Sequence, residues 1–156
     1  MKISDLLTEE FVVTHLEGNS KEDIINAIVD LAAKSSKVLD KEKLRTSVFE
    51  REKIMSTGVG DGFAIPHGKT DAVSDIVGAF AVTAEPIDYE SLDEKPVRLV
   101  FLLVSKANAV GAHIKLLSKI SRLMNKPEFR NKLLDVRSPK EIIEMFKLEE
   151  ARYFEG

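Results

Sequence analysis

Two histidines and one arginine are the residues of this chain whose types suit chemistry best. His67 directly follows the apolar residues 64–66, and a loop rich in glycine, residues 58–62, precedes that segment. A neutral imidazole can attack phosphorus and form a phosphohistidine. Cations and hydrogen-bond donors, here Arg51, His113 and loop N–H groups, can stabilise the charge on the transferred group. The pattern therefore indicates phosphoryl transfer.

Helical spacing explains how His113 and Arg51 could reach His67. His113 begins an apolar helix face, whose other members follow at offsets of 3, 4, 7, 10 and 11: Leu116, Leu117, Ile120, Leu123 and Met124. Arg51 ends a second, partly apolar face that contains Leu44 and Val48. An arginine in that position keeps its stem inward and its guanidinium available to an anion. We therefore predict that both side chains face the same pocket as His67.

The elements that must position these residues alternate between strands and helices. Apolar periodicity, caps and prolines predict strands at 11–16, 76–82 and 97–104, a strand-like segment at 63–67 and a short piece at 87–89. They also predict helices at 20–32, 40–53, 127–134 and 138–148, and a helix to residue 125 that starts at Asn108 or Gly111. The interleaving predicts an α/β fold, a mixed β-sheet flanked by helices, in a single domain over residues 1–156. The last eight residues, EEARYFEG, are expected to form a loosely packed tail.

Composition excludes several classes of protein. The chain has 156 residues, no cysteine, and 23 basic against 26 acidic residues for a net charge of −3. Disulfides and thiolate metal sites are therefore excluded, and no basic block indicates nucleic acid. The longest apolar run of the strongest strand is six residues, at 99–104, whereas a membrane-spanning helix needs about 20. No signal-peptide core is present, so a cytoplasmic protein is expected. The sequence also predicts no cofactor.

Other kinds of site fit parts of the same sequence. His67, His113 and a carboxylate such as Asp61 could form a three-ligand zinc site with an open position. A nucleotide-binding P-loop ending at Gly68-Lys69-Thr70 is disfavoured, because Phe63 stands where that motif needs glycine. The remaining histidine, His15, has no supporting context and is expected to be an ordinary strand residue.

The segment around His67 resembles a family signature. It is similar to the enzyme IIA component of the bacterial phosphotransferase system, in its fructose/mannitol class, which includes the nitrogen-regulatory homologue. The signature residues are Glu52, Val59, Gly60, Phe63, Ala64, Ile65, Pro66, His67 and Gly68. The helix sequence HIKLLSKISRLM after the second histidine is also similar. The stretch Ser105-Lys106-Ala107 departs from the proline-containing loop of many relatives, which bears on loop shape and partner choice.

The resemblance implies a fold, a function and partners. The fold would be the mannitol/fructose-type IIA sandwich. His67 would be phosphorylated, on the ring nitrogen far from the backbone, with His113 as the stabilising histidine and Arg51 as a charge clamp. The chain would accept phosphate from the carrier HPr and pass it to a IIB domain of a sugar permease. A nitrogen-type regulator, whose phosphorylation state controls its binding to other proteins, is the alternative.

Overall fold

The structure, a computed structural model, describes residues 1–155. Its helices are α1 (Lys21–Ala32), α2 (Lys41–Ile54), α3 (Val110–Met124), α4 (Pro127–Asp135) and α5 (Pro139–Glu150). Its strands are β1 (Val12–Leu16), β2 (Gly58–Gly60), β3 (Phe63–Ala64), β4 (His67–Lys69), β5 (Val77–Ile87) and β6 (Val97–Ser105). Short helical turns lie at Ile3–Asp5, Glu9–Phe11 and Ala151–Glu155.

The six strands form one mixed sheet in the order β1-β5-β6-β3-β2, with β4 also paired to β6. β5 and β6 are antiparallel, whereas β1 runs parallel to β5, and both β3 and β4 run parallel to β6. The two short strands β3 and β4 thus lie one after the other along the same side of β6. The mixed sheet that the sequence predicts is confirmed.

Helices cover both faces of the sheet because the side chains of the central strands alternate between two cores. On β6, Val100, Leu102 and Val104 belong to the core under α1 and α2. Phe101 and Leu103, between them, belong to the core under α3, α4 and α5. The sheet therefore holds helices from opposite layers in fixed positions around its β4 edge.

The first two helices begin where the sequence predicts. The Ser20 hydroxyl accepts a hydrogen bond from the N–H of Asp23 at 3.1 Å, and the Asp40 carboxylate accepts one from the N–H of Lys43 at 3.1 Å. Both side chains satisfy N–H groups that a helix start leaves unpaired. At the last helix the residues Ser138-Pro139-Lys140-Glu141 match the sequence pattern of a capping box and predict one, but this prediction is wrong, because the Ser138 side chain makes no capping hydrogen bond. Pro139 starts that helix through its restricted φ.

Two other predictions also differ from the structure. β5 continues through Pro86 to Ile87, because its register with β6 shifts beyond Val82 and leaves the proline outside the regular ladder. The predicted loose tail is wrong for Glu150, which is buried at the end of α5; Gly156 lies outside the described residues. Within residues 1–155, no helix combines the length and the apolar character needed to cross a bilayer.

Candidate phosphoryl-transfer site

His67 is the first residue of β4, where it pairs with Leu103 of β6. Its Nδ1 lies 2.8 Å from the carbonyl oxygen of Ile65. A carbonyl oxygen can only accept, so Nδ1 carries the proton and donates it. This leaves the lone pair on Nε2. The turn through Pro66 therefore sets the tautomer of His67 and prepares Nε2 to act as a nucleophile.

His113 approaches His67 from α3, which lies in the helix layer opposite α2. It lies in the first turn of α3, is 3% exposed, and its ring centroid is 5.6 Å from that of His67. The two ring planes are inclined by 52°. Its Nδ1 is 2.7 Å from the hydroxyl oxygen of Ser105, the last residue of β6. The predicted inward orientation of His113 and its meeting with His67 are both confirmed by this geometry.

Arg51 and the two histidines line a common cavity of about 410 Å³. The complete lining is Ser47, Glu50, Arg51, Ile54, His67, Gly68, Lys69, His113 and Leu117. Arg51 donates from Nη1 to the carbonyl oxygen of Met55 at 2.9 Å, which holds the guanidinium at the end of α2. Helices from the two opposite layers therefore supply the walls of the cavity, and β4 lies between them.

Gly68 lets β4 lie close to α2. A Cβ at this position would come within 2.8 Å of the Ser47 hydroxyl oxygen and 3.4 Å of its carbonyl carbon. The Ser47 hydroxyl donates to the carbonyl oxygen of Lys69 at 3.2 Å, so helix and strand are also joined by a hydrogen bond. The glycine after His67 thus serves the close approach that brings Arg51 to the cavity.

Both histidines have pKa values below the usual 6.5. Burial is the main cause of the lowered pKa of His67, and the charges of Arg51 and Lys69 add to it. The hydrogen bond to Ile65 and the charge of Glu52 oppose this change. For His113, burial together with the charges of His67 and Lys69 lowers the pKa to about 4. At neutral pH both rings are therefore uncharged, as a nucleophile and a neutral donor require.

The sequence predicts that the glycine loop contributes to the site, but residues 58–62 do not line the cavity. β2 and β3 form an antiparallel hairpin, in which Gly58 pairs with Ala64 and Gly60 pairs with Phe63. Its turn, at Asp61 and Gly62, lies at the end of β3 remote from His67, so the loop N–H groups face another part of the surface. The positive φ values of Gly60 and Gly62, 125° and 84°, explain the glycines at this turn.

The zinc hypothesis fails because Asp61 lies in this hairpin turn and does not line the cavity of the two histidines. Asp61 projects from the hairpin turn, and its N–H is bonded to the carboxylate of Asp93 at 2.9 Å. No group of three metal-binding side chains exists among the residues that the structure describes. His15 lies elsewhere on β1, exposed, with its Nε2 3.3 Å from Glu17. Of the residues that the sequence singled out, the structure therefore brings His67, His113 and Arg51 together at one cavity.

Glu52, the first residue of the sequence signature, has a role that sequence reasoning missed. Its buried carboxylate accepts hydrogen bonds from the N–H of Thr57 at 2.7 Å, from the Thr57 hydroxyl, and from the Tyr89 hydroxyl at 3.2 Å. Lys21 of α1 lies 2.9 Å away. The network connects the last turn of α2 to the segment that follows it. Glu52 directly follows Arg51 in the chain, so the network also holds the backbone next to Arg51. Its presence in the signature was the only available signal.

Ser105 and Lys69 were also missed as residues of the site. Lys69 is exposed at the cavity and lowers the pKa of both histidines. Ser105 contacts His113 only because β6 ends where α3 begins its first turn. The sequence showed Ser105 as part of an unusual loop, and no spacing rule connects a strand-end hydroxyl with a helix histidine eight positions later.

Similar sequences come from two groups of proteins. The family model "Phosphoenolpyruvate-dependent sugar phosphotransferase system, EIIA 2" matches residues 5–148. The fructose-specific EIIABC component of Bacillus subtilis is 37% identical over 145 residues, 93% of this chain. This chain spans 23% of that longer protein. A nitrogen regulatory protein of Bradyrhizobium diazoefficiens is 39% identical over 155 residues, covering 97% of this chain and 98% of that protein.

Similar solved structures have the same architecture. The nitrogen regulatory protein IIA-Ntr of Neisseria meningitidis has a TM-score of 0.86 at 34% identity, over 92% of this chain and 98% of that one. The IIA-Mtl chain of Escherichia coli, solved in complex with phosphorylated enzyme IIB-Mtl, has a TM-score of 0.78 at 20% identity, over 90% and 96% of the two chains. The resemblance drawn from the sequence is thus confirmed, and this chain belongs to the EIIA type 2 family of the phosphoenolpyruvate-dependent sugar phosphotransferase system.

Proposed function

We propose that residues 1–156 act as a single cytoplasmic phosphocarrier domain, which accepts a phosphoryl group from phosphorylated HPr on Nε2 of His67 and passes it to a IIB domain. The hydrogen bond from Nδ1 to Ile65 is the observation that carries this proposal, because it leaves the Nε2 lone pair available. In the transfer, Nε2 forms a bond to phosphorus as the N–P bond of the donor phosphohistidine breaks. The donor imidazole keeps that electron pair.

The groups around His67 suit the charge of the transferred phosphoryl group. The neighbouring ring of His113 can donate a hydrogen bond, and Arg51 and Lys69 contribute positive charge to the cavity. Preformed donors of this kind stabilise charge that develops in the transition state. They would also hold the phosphohistidine once it has formed, until a second protein removes the phosphoryl group.

The rim of the cavity supports transfer between proteins rather than to a small molecule. Ile54, at the end of α2, lines the cavity and is 79% exposed, and Val110 and Ile114, in the first turns of the helix that carries His113, are 44% and 60% exposed. Exposed apolar residues around a polar centre are typical of protein contact surfaces. An in-line transfer between two histidines requires that both proteins approach this rim closely.

The test is phosphorylation in a reconstituted system. After incubation with phosphoenolpyruvate, enzyme I and HPr, intact-mass spectrometry should show one added phosphoryl group that acid removes and alkali preserves. His67→Ala should take up none, whereas the control His15→Ala, which changes an exposed histidine on β1, should be labelled like the wild type. Labelling of His67→Ala would contradict the assignment.

A regulatory role is the second candidate. The Bradyrhizobium nitrogen regulatory protein is 39% identical and almost equal in length to this chain, which supports this alternative. In that case phosphorylation of His67 would add negative charge at the cavity rim and alter binding to target proteins. Incubation of the labelled protein with a panel of purified IIB domains distinguishes the two roles, because a regulator keeps its phosphate whereas a transport component loses it rapidly to one of them.

A further inference from the structure

Ser105 is the last residue of β6, and its side chain is directed at His113. The residue is fully buried, and its Oγ lies 2.7 Å from Nδ1 of His113. Its backbone is held as well, since its carbonyl oxygen accepts a hydrogen bond from the N–H of Thr70 at 2.9 Å. The hydroxyl is thus placed by the sheet, independently of the helix that carries the histidine.

The direction of this hydrogen bond follows from what surrounds the hydroxyl. Among the described residues 1–155, the hydrogen bond made by the Ser105 Oγ is the one with Nδ1 of His113. If Nδ1 donated instead, the hydroxyl proton would be buried without a partner, which is unfavourable. Ser105 therefore donates to Nδ1, and the proton of the neutral His113 ring is on Nε2.

We propose that Ser105 is a positioning residue that holds His113 as the Nε2–H tautomer, so that this N–H donates to the phosphoryl group on His67. The proposal rests on the function proposed above and deepens it. With the opposite tautomer, Nε2 of His113 would present a lone pair to the phosphoryl oxygens and would repel them. His67 and His113 would thus have opposite tautomers, one set by the Ile65 carbonyl and the other by the Ser105 hydroxyl.

The tautomer can be measured without phosphate. The ¹⁵N chemical shifts of the imidazole nitrogens at neutral pH should show protonated Nε2 at His113 in the wild type. In Ser105→Ala the shifts should move toward a mixture of tautomers. The control is Thr83→Val, which removes a buried hydroxyl bonded to the Glu85 carbonyl oxygen on β5 and should leave the His113 shifts unchanged. A protonated Nδ1 at His113 in the wild type would overturn the proposal.

The rate of phosphoryl transfer provides the functional measurement. Groups that hold a histidine in one tautomer at metal sites change affinity or activity by about 10- to 100-fold when they are removed. We expect Ser105→Ala to slow phosphorylation of His67 by about tenfold or more, and Ser105→Thr, which keeps the hydroxyl, to recover much of this rate. Thr83→Val should transfer at the wild-type rate.

A double-mutant comparison shows whether Ser105 acts through His113. In a His113→Ala background the serine has no ring to orient, so adding Ser105→Ala should cause no further loss of rate. An equal further loss would overturn the proposal, because it would show an effect independent of His113. If the wild type accepted no phosphate at all, the proposed function would fail, whereas the ¹⁵N shifts would still decide how Ser105 affects the ring.

Discussion

Arg51 has two roles, because it makes a hydrogen bond at the end of α2 and also lines the cavity. It donates to the Met55 carbonyl oxygen at 2.9 Å and lines the cavity beside His67. Arg51→Lys keeps the charge but loses the planar guanidinium. We expect transfer to slow by about tenfold or more, because the fork that can bind phosphoryl oxygens is lost. Rapid-quench measurement of His67 labelling provides the rate.

The free energy of unfolding of Arg51→Lys separates the structural role of Arg51 at the helix end from its role in phosphoryl transfer. The lost contact to Met55 lies at an accessible helix end, so the free energy of unfolding in urea should change by about 1 kcal/mol or less. Lys53→Gln, which removes an exposed cation from the same helix turn, is the control and should transfer at the wild-type rate. A wild-type rate for Arg51→Lys would show that charge alone is sufficient.

The lowered histidine pKa values predict how stability depends on pH. His113 has a pKa of about 4 in the folded chain and about 6.5 when unfolded, so the unfolded state binds more protons between these values. The free energy of unfolding should therefore fall as the pH is lowered from 6.5 toward 4. His67, whose pKa is also lowered, acts in the same direction.

Urea unfolding at pH 7 and pH 5 tests this dependence, since most carboxylates stay ionised over that range. His113→Gln should lose less stability between the two pH values than the wild type does, because it lacks one of the two rings whose pKa is lowered in the folded chain. An identical loss in the wild type and in His113→Gln would contradict the buried, neutral state of His113.

At the scale of elements, α2 depends on one buried carboxylate at its last turn. Glu52→Gln would leave Lys21, 11% exposed, without its close partner and would remove the charge that three donors share. Removing one member of a buried ion pair typically costs about 3–5 kcal/mol. We expect a loss of that size in urea unfolding, together with slower labelling of His67, because Arg51 directly precedes Glu52.

Glu42 on the same helix provides a matched control for Glu52. It forms an exposed pair with Arg45 at 3.1 Å, and pairs of this kind contribute about 1 kcal/mol or less. Glu42→Gln should therefore change neither the stability nor the labelling rate appreciably. Equal effects of the two substitutions would show that the Glu52 network does not position the end of α2.

At the scale of the whole molecule, the two ends of the described chain are joined by Glu150. Its buried carboxylate accepts hydrogen bonds from the N–H groups of Ile3 and Ser4, the latter at 2.8 Å. Glu150→Ala would leave these N–H groups without partners beside the core, and we expect a loss of about 1–3 kcal/mol in urea unfolding. Glu144→Ala, on an exposed position of the same helix, should be nearly neutral.

The loose tail expected from sequence shows where such reasoning fails. EEARYFEG contains several charged residues and a glycine, which resembles a frayed end. The first half of this segment is nevertheless anchored, because a short turn near residue 3 presents two N–H groups to Glu150. A contact between residues about 146 positions apart has no local signal, so periodicity and capping rules cannot detect it.

Pro86 illustrates a second error of the same kind, because the structure is again more regular than the local sequence predicts. Proline lacks an N–H group and is rare in paired strands, so the sequence favours a break there. The strand tolerates it because the register between β5 and β6 shifts after Val82. Whether a proline meets a paired or an unpaired position depends on the neighbouring strand, which the local sequence does not specify.

Local sequence patterns predicted the helices α1 to α5, the strands β1 and β6, most of β5, and the candidate residues His67, His113 and Arg51, but not the separate short strands β2, β3 and β4. The periods of apolar residues and the signature around His67 are local patterns, and each is complete within about 20 residues. Tertiary structure alone decided that the rings of His67 and His113 lie 5.6 Å apart, which hydroxyl contacts His113, and that the glycine hairpin turns away from the cavity. These features depend on how distant segments pack across one sheet, and short-range propensities contain no record of that packing.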